Sequence, residues 1–339
     1  MQWLDTLQAL TSPSGVSGHE SPVAQVAYSI LCKYCEDVHI QGGNVCGRIG
    51  VYSPNKPHVL LDAHMDQVGF LVTAITEDGF IRVGNAGGMD FRLMPAQRVI
   101  VHGKQDIPGV ICCMPPHLQN GQEKVSTVEE LAIDTGYTKE NLEEIVQPGD
   151  SISYDMPVRV LLNDRVTGAS LDDRCGMASI LYALELLQGK TLPCTLSVLF
   201  STQEEVGERG AIIGAYTLEP DIALAVDVTF AKGHGDDPTK CGKLGGGPMI
   251  GLSPSLSPTV SQDLMRVAQD KQIPWQREVM SGLTGTNADR FSVSRGGICA
   301  GTVSIPLLYM HTPSEVIQLS DLEATGQLLA SYILQLGEV

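Results

Sequence analysis

Five short segments of this 339-residue sequence carry side chains suited to metal binding or proton transfer. In His64-Met65-Asp66 an imidazole and a carboxylate stand two residues apart, so on a strand they share a face while Met65 turns away. Such a carboxylate can accept one ring N–H, fix the tautomer and leave the other nitrogen free for a metal. Asp172-Asp173 stands where a strand hands over to a helix, a place where an acid ordinarily caps the helix or meets its dipole. Glu204-Glu205 follows the apolar run Val198-Leu199-Phe200, and a Glu pair at a strand end is ordinarily solvated. Asp227 ends Ala223-Leu224-Ala225-Val226, and His311 follows Leu308-Tyr309-Met310. Each segment alone has a structural explanation. Together they share one position, the carboxyl end of an expected strand, which is where open α/β sheets build their sites. Oxygen and imidazole donors without thiolate suit Zn²⁺, Co²⁺ or Mn²⁺, and more carboxylates than one ion needs point to two ions.

The elements that must hold these residues alternate in character along the chain. Ser21 as N-cap and Pro22 at the first helical position predict a helix running to about Asp37. A strand is expected over His58 to His64. From about 68 to 162 short alternating apolar runs, such as Phe80-Ile81-Arg82-Val83 and Val99-Ile100-Val101, are punctuated by Gly-Gly, Pro-Pro and Asn-Gly. Beyond that, a helix over Leu171 to Gln188, strands over Thr195 to Thr202, Asp221 to Asp227 and Ile298 to Pro306, and helices near 258–273 and 320–335 are expected. The pattern implies an α/β fold in which a mixed sheet is covered by helices on both faces. Residues 1–67 and 163–339 would form this catalytic domain, interrupted by a small β-rich domain at 68–162.

Composition limits the partners. With 22 Lys+Arg against 39 Asp+Glu the net charge is −17, so nucleic acid and anionic membrane surfaces would be repelled. No uninterrupted apolar run reaches membrane-spanning length, and the start lacks a basic, apolar leader, so a cytoplasmic protein is expected. Nine cysteines, an odd number spread over a long chain, suit reduced thiols rather than a disulfide framework. Cys32 and Cys35 form a C-x-x-C without a second pair, which is read as structural. No phosphate loop and no G-x-S-x-G elbow is present.

Ala63-His64-Met65-Asp66, Val68-Gly69-Phe70, Asp172-Asp173-Arg174 with Gly176, Glu204-Glu205-Val206-Gly207, Val226-Asp227-Val228-Thr229 and His311-Thr312-Pro313 resemble the dinuclear metallo-aminopeptidases that include tetrahedral (TET), glutamyl and deblocking aminopeptidases. Some members of that family carry an endoglucanase label. Weaker matches at Ser14-Gly15-Val16-Ser17-Gly18-His19-Glu20, Lys243-Leu244-Gly245 and Gly285-Thr286 extend the resemblance over nearly the whole chain. Asp172 lies 108 residues beyond His64, so an insertion separates them, whereas related dimetal carboxypeptidases and deacylases carry their extra domain later.

The resemblance implies that His64 and Asp227 hold one divalent ion, Glu205 and His311 the other, and that Asp172 bridges them. It implies Glu204 as general base and Asp66 as orienting partner of His64. Three ligand carboxylates and a hydroxide would then balance two divalent cations, Zn or Co with Mn as a third choice, and a neutral cluster is tolerable in a buried pocket. The implied reaction is removal of N-terminal residues from short peptides with a free amine, by attack of a water between the metals. The implied state is a homo-oligomer, a dimer building block that can form a tetrahedral dodecamer through the inserted unit. A dimetal deacylase or carboxypeptidase is the alternative, and a glycosidase is disfavoured by scarce aromatics, with 2 Trp and 6 Phe.

Three positions depart from the usual family pattern: Gln67 replaces Glu, Asn287 replaces Asp, and Leu308 replaces Arg. Asp173 reads as structural. His234, Asp236 and Asp237 lie in a Gly- and Pro-rich stretch expected to be a surface loop, and His19, His39, His58, His102 and His117 are expected to be structural or exposed, without acid partners.

Overall fold

The structure, a computed structural model, describes residues 2–50, 53–114, 127–237 and 240–336. His117 and Pro238 therefore lie outside the described residues. The chain opens with helices α1 (Gln2–Thr11) and α2 (Ser21–Leu31), then strands β1 (Asp37–Gln41), β2 (Asn44–Ile49) and β3 (His58–His64). Next come β4 (Gly69–Ile75), β5 (Ile81–Ala86), β6 (Arg98–His102), β7 (Asp106–Ile111), β8 (Ala132–Asp134), α3 (Lys139–Glu143) and β9 (Ser151–Tyr154). The remainder holds β10 (Arg159–Val160), β11 (Arg165–Gly168), α4 (Leu171–Leu187), β12 (Thr195–Ser201), α5 (Arg209–Leu218), β13 (Ile222–Phe230) and β14 (Met249–Leu252). It closes with α6 (Pro258–Asp270), β15 (Gln276–Val279), α7 (Ala288–Ser292), β16 (Cys299–Leu307), β17 (Glu315–Gln318) and α8 (Leu319–Gln335).

An 8-stranded mixed sheet in the order β1-β2-β12-β3-β13-β16-β14-β15 forms the main body. Its inner strands β12, β3, β13 and β16 are adjacent and parallel. They are mostly apolar and buried along nearly their whole length because both faces are covered. Val59, Leu61 and Ala63 of β3 pack with α1, α2, α4, α6 and α8 in one core, while Leu60 packs on the other face with Ala211, Ala215, Ala288 and Phe291 from α5 and α7. The α/β class with a doubly covered mixed sheet follows directly from this two-sided burial.

Strands β4 to β9 close into a separate barrel in the order β4-β5-β8-β7-β6-β9. Its alternating pattern is visible in β7, where Ile107, Gly109 and Ile111 turn inward between exposed neighbours. The inward residues form their own core around Phe70, Val99, Val101, Ile133 and Ile152. Among the described residues no helix is long and apolar enough to cross a membrane.

Two local expectations change. Ser21 is the first helical residue of α2 rather than its cap: Glu20 precedes the helix, and its Oε1 accepts from Gly18 N at 2.8 Å and Gln203 N at 3.2 Å. The helix stops at Leu31, short of Asp37, because the chain turns there to begin β1. Cys32 and Cys35 thus fall after the helix, and both are free thiols.

Candidate metal centre

Four neighbouring parallel strands each deliver a ligand-type side chain at one edge of the sheet. β3 ends on His64; β12 is followed by Glu204 and Glu205; β13 carries Asp227; and β16 is followed by His311. The expectation that Asp227 ends its strand is corrected, since β13 pairs with β16 as far as Phe230 and Leu307. Asp172 enters from the start of α4, which lies across β3 and β13. The peptide bond between Asp172 and Asp173 is cis. Gly176 completes that segment: its amide donates to Asp173 Oδ1 at 3.0 Å, and a Cβ there would lie 2.3 Å from the same oxygen.

Asp172 stands between the two imidazoles. Its Oδ1 is 3.0 Å from His64 Nε2 and its Oδ2 is 3.3 Å from His311 Nε2. Asp227 Oδ1 lies 3.8 Å from His64 Nε2 on one side, and Glu205 Oε1 lies 3.3 Å from His311 Nε2 on the other. Asp172, Glu205 and His311 offer donor atoms within 4.8 Å of one another, as do His64, Glu204 and Glu205, and His64, Asp173 and Asp227. The cluster opens into a cavity of about 690 Å³.

Burial together with crowded carboxylates sets the electrostatics. Burial and the neighbouring charges of Asp227, Glu205 and Asp172 outweigh the attraction of His64 and push Glu204 up to about 9. Burial likewise raises Asp227 to about 8, against the pull of His64. For His311 burial opposes the charged ring, yet hydrogen bonds to Asp172 and Glu205 win and lift it to about 11. The same two histidines overcome the burial of Asp172 and hold it well below the ordinary carboxylate range. Acids that keep protons and imidazoles that keep charge are both signs of a pocket short of positive charge. An all-oxygen and imidazole donor set of this kind fits divalent cations.

A protein-family model described as M42 glutamyl aminopeptidase matches residues 43–328. The chain belongs to the M42 glutamyl aminopeptidase family. It is similar to the lysyl aminopeptidase of Pyrococcus furiosus, 30% identical over 345 residues that cover 99% of this chain and 98% of the relative. An aminopeptidase from Desulfurococcus kamchatkensis has a similar structure, with a TM-score of 0.93, 34% identity and coverage of 98% of this chain and 95% of that one. So does the Pyrococcus horikoshii TET1 peptidase, described as assembling into a tetrahedron or a large octahedral shell, with a TM-score of 0.86, 30% identity and coverage of 98% and 100%. The M42 enzymes are hydrolases of peptides, and this chain is one of them.

Asp66 has a larger task in this M42 chain than orienting His64. His64 Nδ1 lies 3.1 Å from the Asp66 backbone carbonyl and 3.5 Å from its Oδ1. The Asp66 carboxylate instead accepts from the backbone amides of Glu204 at 2.9 Å and Glu205 at 3.2 Å, and from Ser17 Oγ at 2.6 Å. It therefore fixes the turn that carries the Glu pair. Sequence reading missed Glu315, the first residue of β17. This buried side chain accepts from Asp172 N at 3.1 Å and His311 N at 3.0 Å, so one carboxylate positions two ligand-type residues that come from distant parts of the chain. His311 itself has a positive φ of 60°, a conformation that needs such support.

The departures from the family pattern also acquire roles. Gln67 Oε1 accepts from Ser170 Oγ at 3.1 Å and Arg174 Nη2 at 3.2 Å, tying the segment after His64 to the segment around Asp172. Asn287 Nδ2 donates to Asp62 Oδ2 at 2.7 Å and Ser201 Oγ at 2.8 Å. Burial pushes Asp62 up to about 7, the bonds to Asn287 and Ser201 opposing it, so a second acid at 287 would be out of place here. Leu308 packs with Ala231, Leu244 and Val316 in a small apolar cluster.

Among the described histidines outside the site, the rings of His102 and His39 have acid neighbours that the sequence did not signal. His102 Nδ1 is 2.8 Å from Asp106, and His39 Nδ1 is 3.7 Å from Asp37. His58 is buried against Ser197 at 2.8 Å. His234, Asp236 and Asp237 are exposed, and all ligand-type groupings among the described residues gather at the His64 site.

Proposed function

We propose that this protein is a dinuclear metal-dependent aminopeptidase that removes N-terminal residues from short peptides with a free amine. The observation that carries the reading is the Asp172 carboxylate facing His64 with one oxygen and His311 with the other. His64 and Asp227 would hold one ion, Glu205 and His311 the second, and Asp172 would belong to both. Zn²⁺ or Co²⁺, with Mn²⁺ as a third choice, suits these donors. Two such ions supply Lewis acidity and a water of lowered pKa.

Glu204 is the general base in this reading. It lies at the same cluster without a place in the bridging arrangement; burial and the neighbouring acids raise its carboxyl, and two bound cations would offset that rise and leave it ionised, able to take a proton. It accepts the proton of the attacking water and returns it to the leaving amine. Asp66 holds Glu204 and Glu205 through their amides, and Glu315 holds Asp172 and His311, so the reacting groups start from fixed positions. The acids around the cavity receive the cationic end of a peptide, which favours cleavage next to a free N-terminus.

The barrel formed by β4 to β9 would serve as the dimerisation unit of a homo-oligomer, with residues 1–67 and 163–339 as the catalytic domain around it. The TET1 peptidase is described both as a dodecamer and as assembling into a tetrahedron or a large octahedral shell, and the assembly proposed here is the tetrahedral dodecamer. All nine cysteines are free thiols, which supports a reducing, cytoplasmic setting. A peptide with a free amine should be cleaved and its N-acetylated twin spared, with activity lost to a chelator and restored by Zn²⁺, Co²⁺ or Mn²⁺. Equal cleavage of the twins would favour the deacylase or carboxypeptidase alternative.

A further inference from the structure

The cavity that holds the metal-type cluster extends to a second acid that the mechanism above does not use. Glu278 lies on β15, the edge strand, where Gln276 and Glu278 are half-buried and Arg277 and Val279 exposed, so Glu278 faces inward. Thr229 donates its hydroxyl to Glu278 Oε1. Thr229 stands two residues beyond Asp227 on β13, which puts it on the same face and about 7 Å further along the strand. The Ser304 hydroxyl, on the strand residue paired with Asp227, supports the same carboxylate. Glu278 Oε2 is buried without a hydrogen-bond partner.

We infer that Glu278 is the specificity-determining residue of the cavity and selects a basic side chain, lysine or arginine, at the first residue of the peptide. The inference rests on the aminopeptidase reading and deepens it. A buried carboxylate oxygen without a donor is costly, and an ammonium or guanidinium group supplies both the missing donor and the missing charge. The offset of Thr229 along β13 suits a side chain better than the α-amine, which sits only two bonds from the scissile carbonyl carbon. Met249 and Met280 line the same cavity, and flexible thioether side chains accommodate a long aliphatic stem. Burial holds the Glu278 carboxyl above its ordinary value, with the Thr229 and Ser304 hydroxyls opposing it, and an arriving cation would favour the ionised form.

The cationic residues at this cavity do not satisfy Glu278. Lys240 and Arg277 are exposed at the rim, and the Arg277 guanidinium stacks over the Trp275 ring at 5.6 Å. An acidic first residue would pass them only to meet Glu278 and the cluster acids.

The test compares the metal-loaded wild type with Glu278→Gln on lysyl-, arginyl- and leucyl-p-nitroanilide. Loss of the charge should lower kcat/KM for the two basic substrates by about 10- to 100-fold, chiefly through KM, and change the leucyl value by less than about 3-fold. Metal content should stay the same. Glu278→Lys should turn the residual preference toward a glutamyl substrate. Equal losses on all three substrates, or an unchanged lysyl-to-leucyl ratio, would overturn the assignment while leaving the aminopeptidase reading intact. A wild type that cleaves glutamyl-p-nitroanilide but none of the three would overturn the assignment alone, and one that cleaves none of the four would overturn both.

Discussion

The mixed sheet and the barrel solve the same problem, burying β-structure, in opposite ways. The barrel pairs its strands in a closed ring and turns Phe70, Val99, Val101, Ile133 and Ile152 into one apolar core. The sheet leaves its strand ends open, and at one edge it buries His64, Asp66, Asp172 and Asp227. Closure removes free edges, so the barrel has no row of unpaired backbone groups to cover. The open edge instead gathers acids whose mutual repulsion, deepened by burial, must be met by positive charge. Stability and chemistry are thereby kept in different parts of one chain, and each part should respond to mutation in its own way.

The largest effect on stability should come from the barrel. Ile133→Ala, at a fully buried position, should cost about 2–5 kcal/mol of unfolding free energy through lost burial and the cavity left behind. Chemical denaturation would measure it, while kcat of the folded fraction should stay within about 2-fold. A comparable fall in kcat would mean that the barrel core is coupled to the site and that the division is wrong.

A smaller effect, with a pH signature, is expected beneath the site. Asn287→Asp would set a second buried acid against Asp62, at a cost of about 1–3 kcal/mol. Below about pH 7 Asp62 keeps its proton and can donate to the new carboxylate, since its folded pKa is raised to about 7. As pH rises through that value both acids ionise, so the penalty should grow between pH 6 and 8. Thermal unfolding of wild type and variant across this range would show it, and a pH-independent difference would remove the electrostatic explanation.

Much of this arrangement was legible in the sequence, because buried parallel strands announce themselves as apolar runs and hand their next residues to the carboxyl edge. His64, Glu204, Glu205 and His311 each stand at the end of such a run. The contributions of Asp66 and Glu315 were not legible in the same way. Both act on backbone amides, which carry no residue-specific signal, and Glu315 reaches Asp172 across 143 residues. The β-rich character of the inserted stretch showed in its alternating runs, but its closure depends on long-range pairings such as Phe70 with Ile152 and Ile81 with Ile133. Asp227 looked like a strand end because the apolar run stops there, yet the hydrogen-bond ladder continues through Val228 and Thr229 to Phe230.

The central claim is that Glu204 moves the proton at a site whose metals it does not hold. The most direct measurement is the metal content of Glu204→Gln by mass spectrometry, alongside its turnover of a peptide with a free N-terminus. The account predicts two ions per chain, as in the wild type, with kcat reduced by about 10²–10⁴-fold. Two ions with undiminished kcat would contradict it, as would loss of the ions themselves, which would make Glu204 a ligand instead.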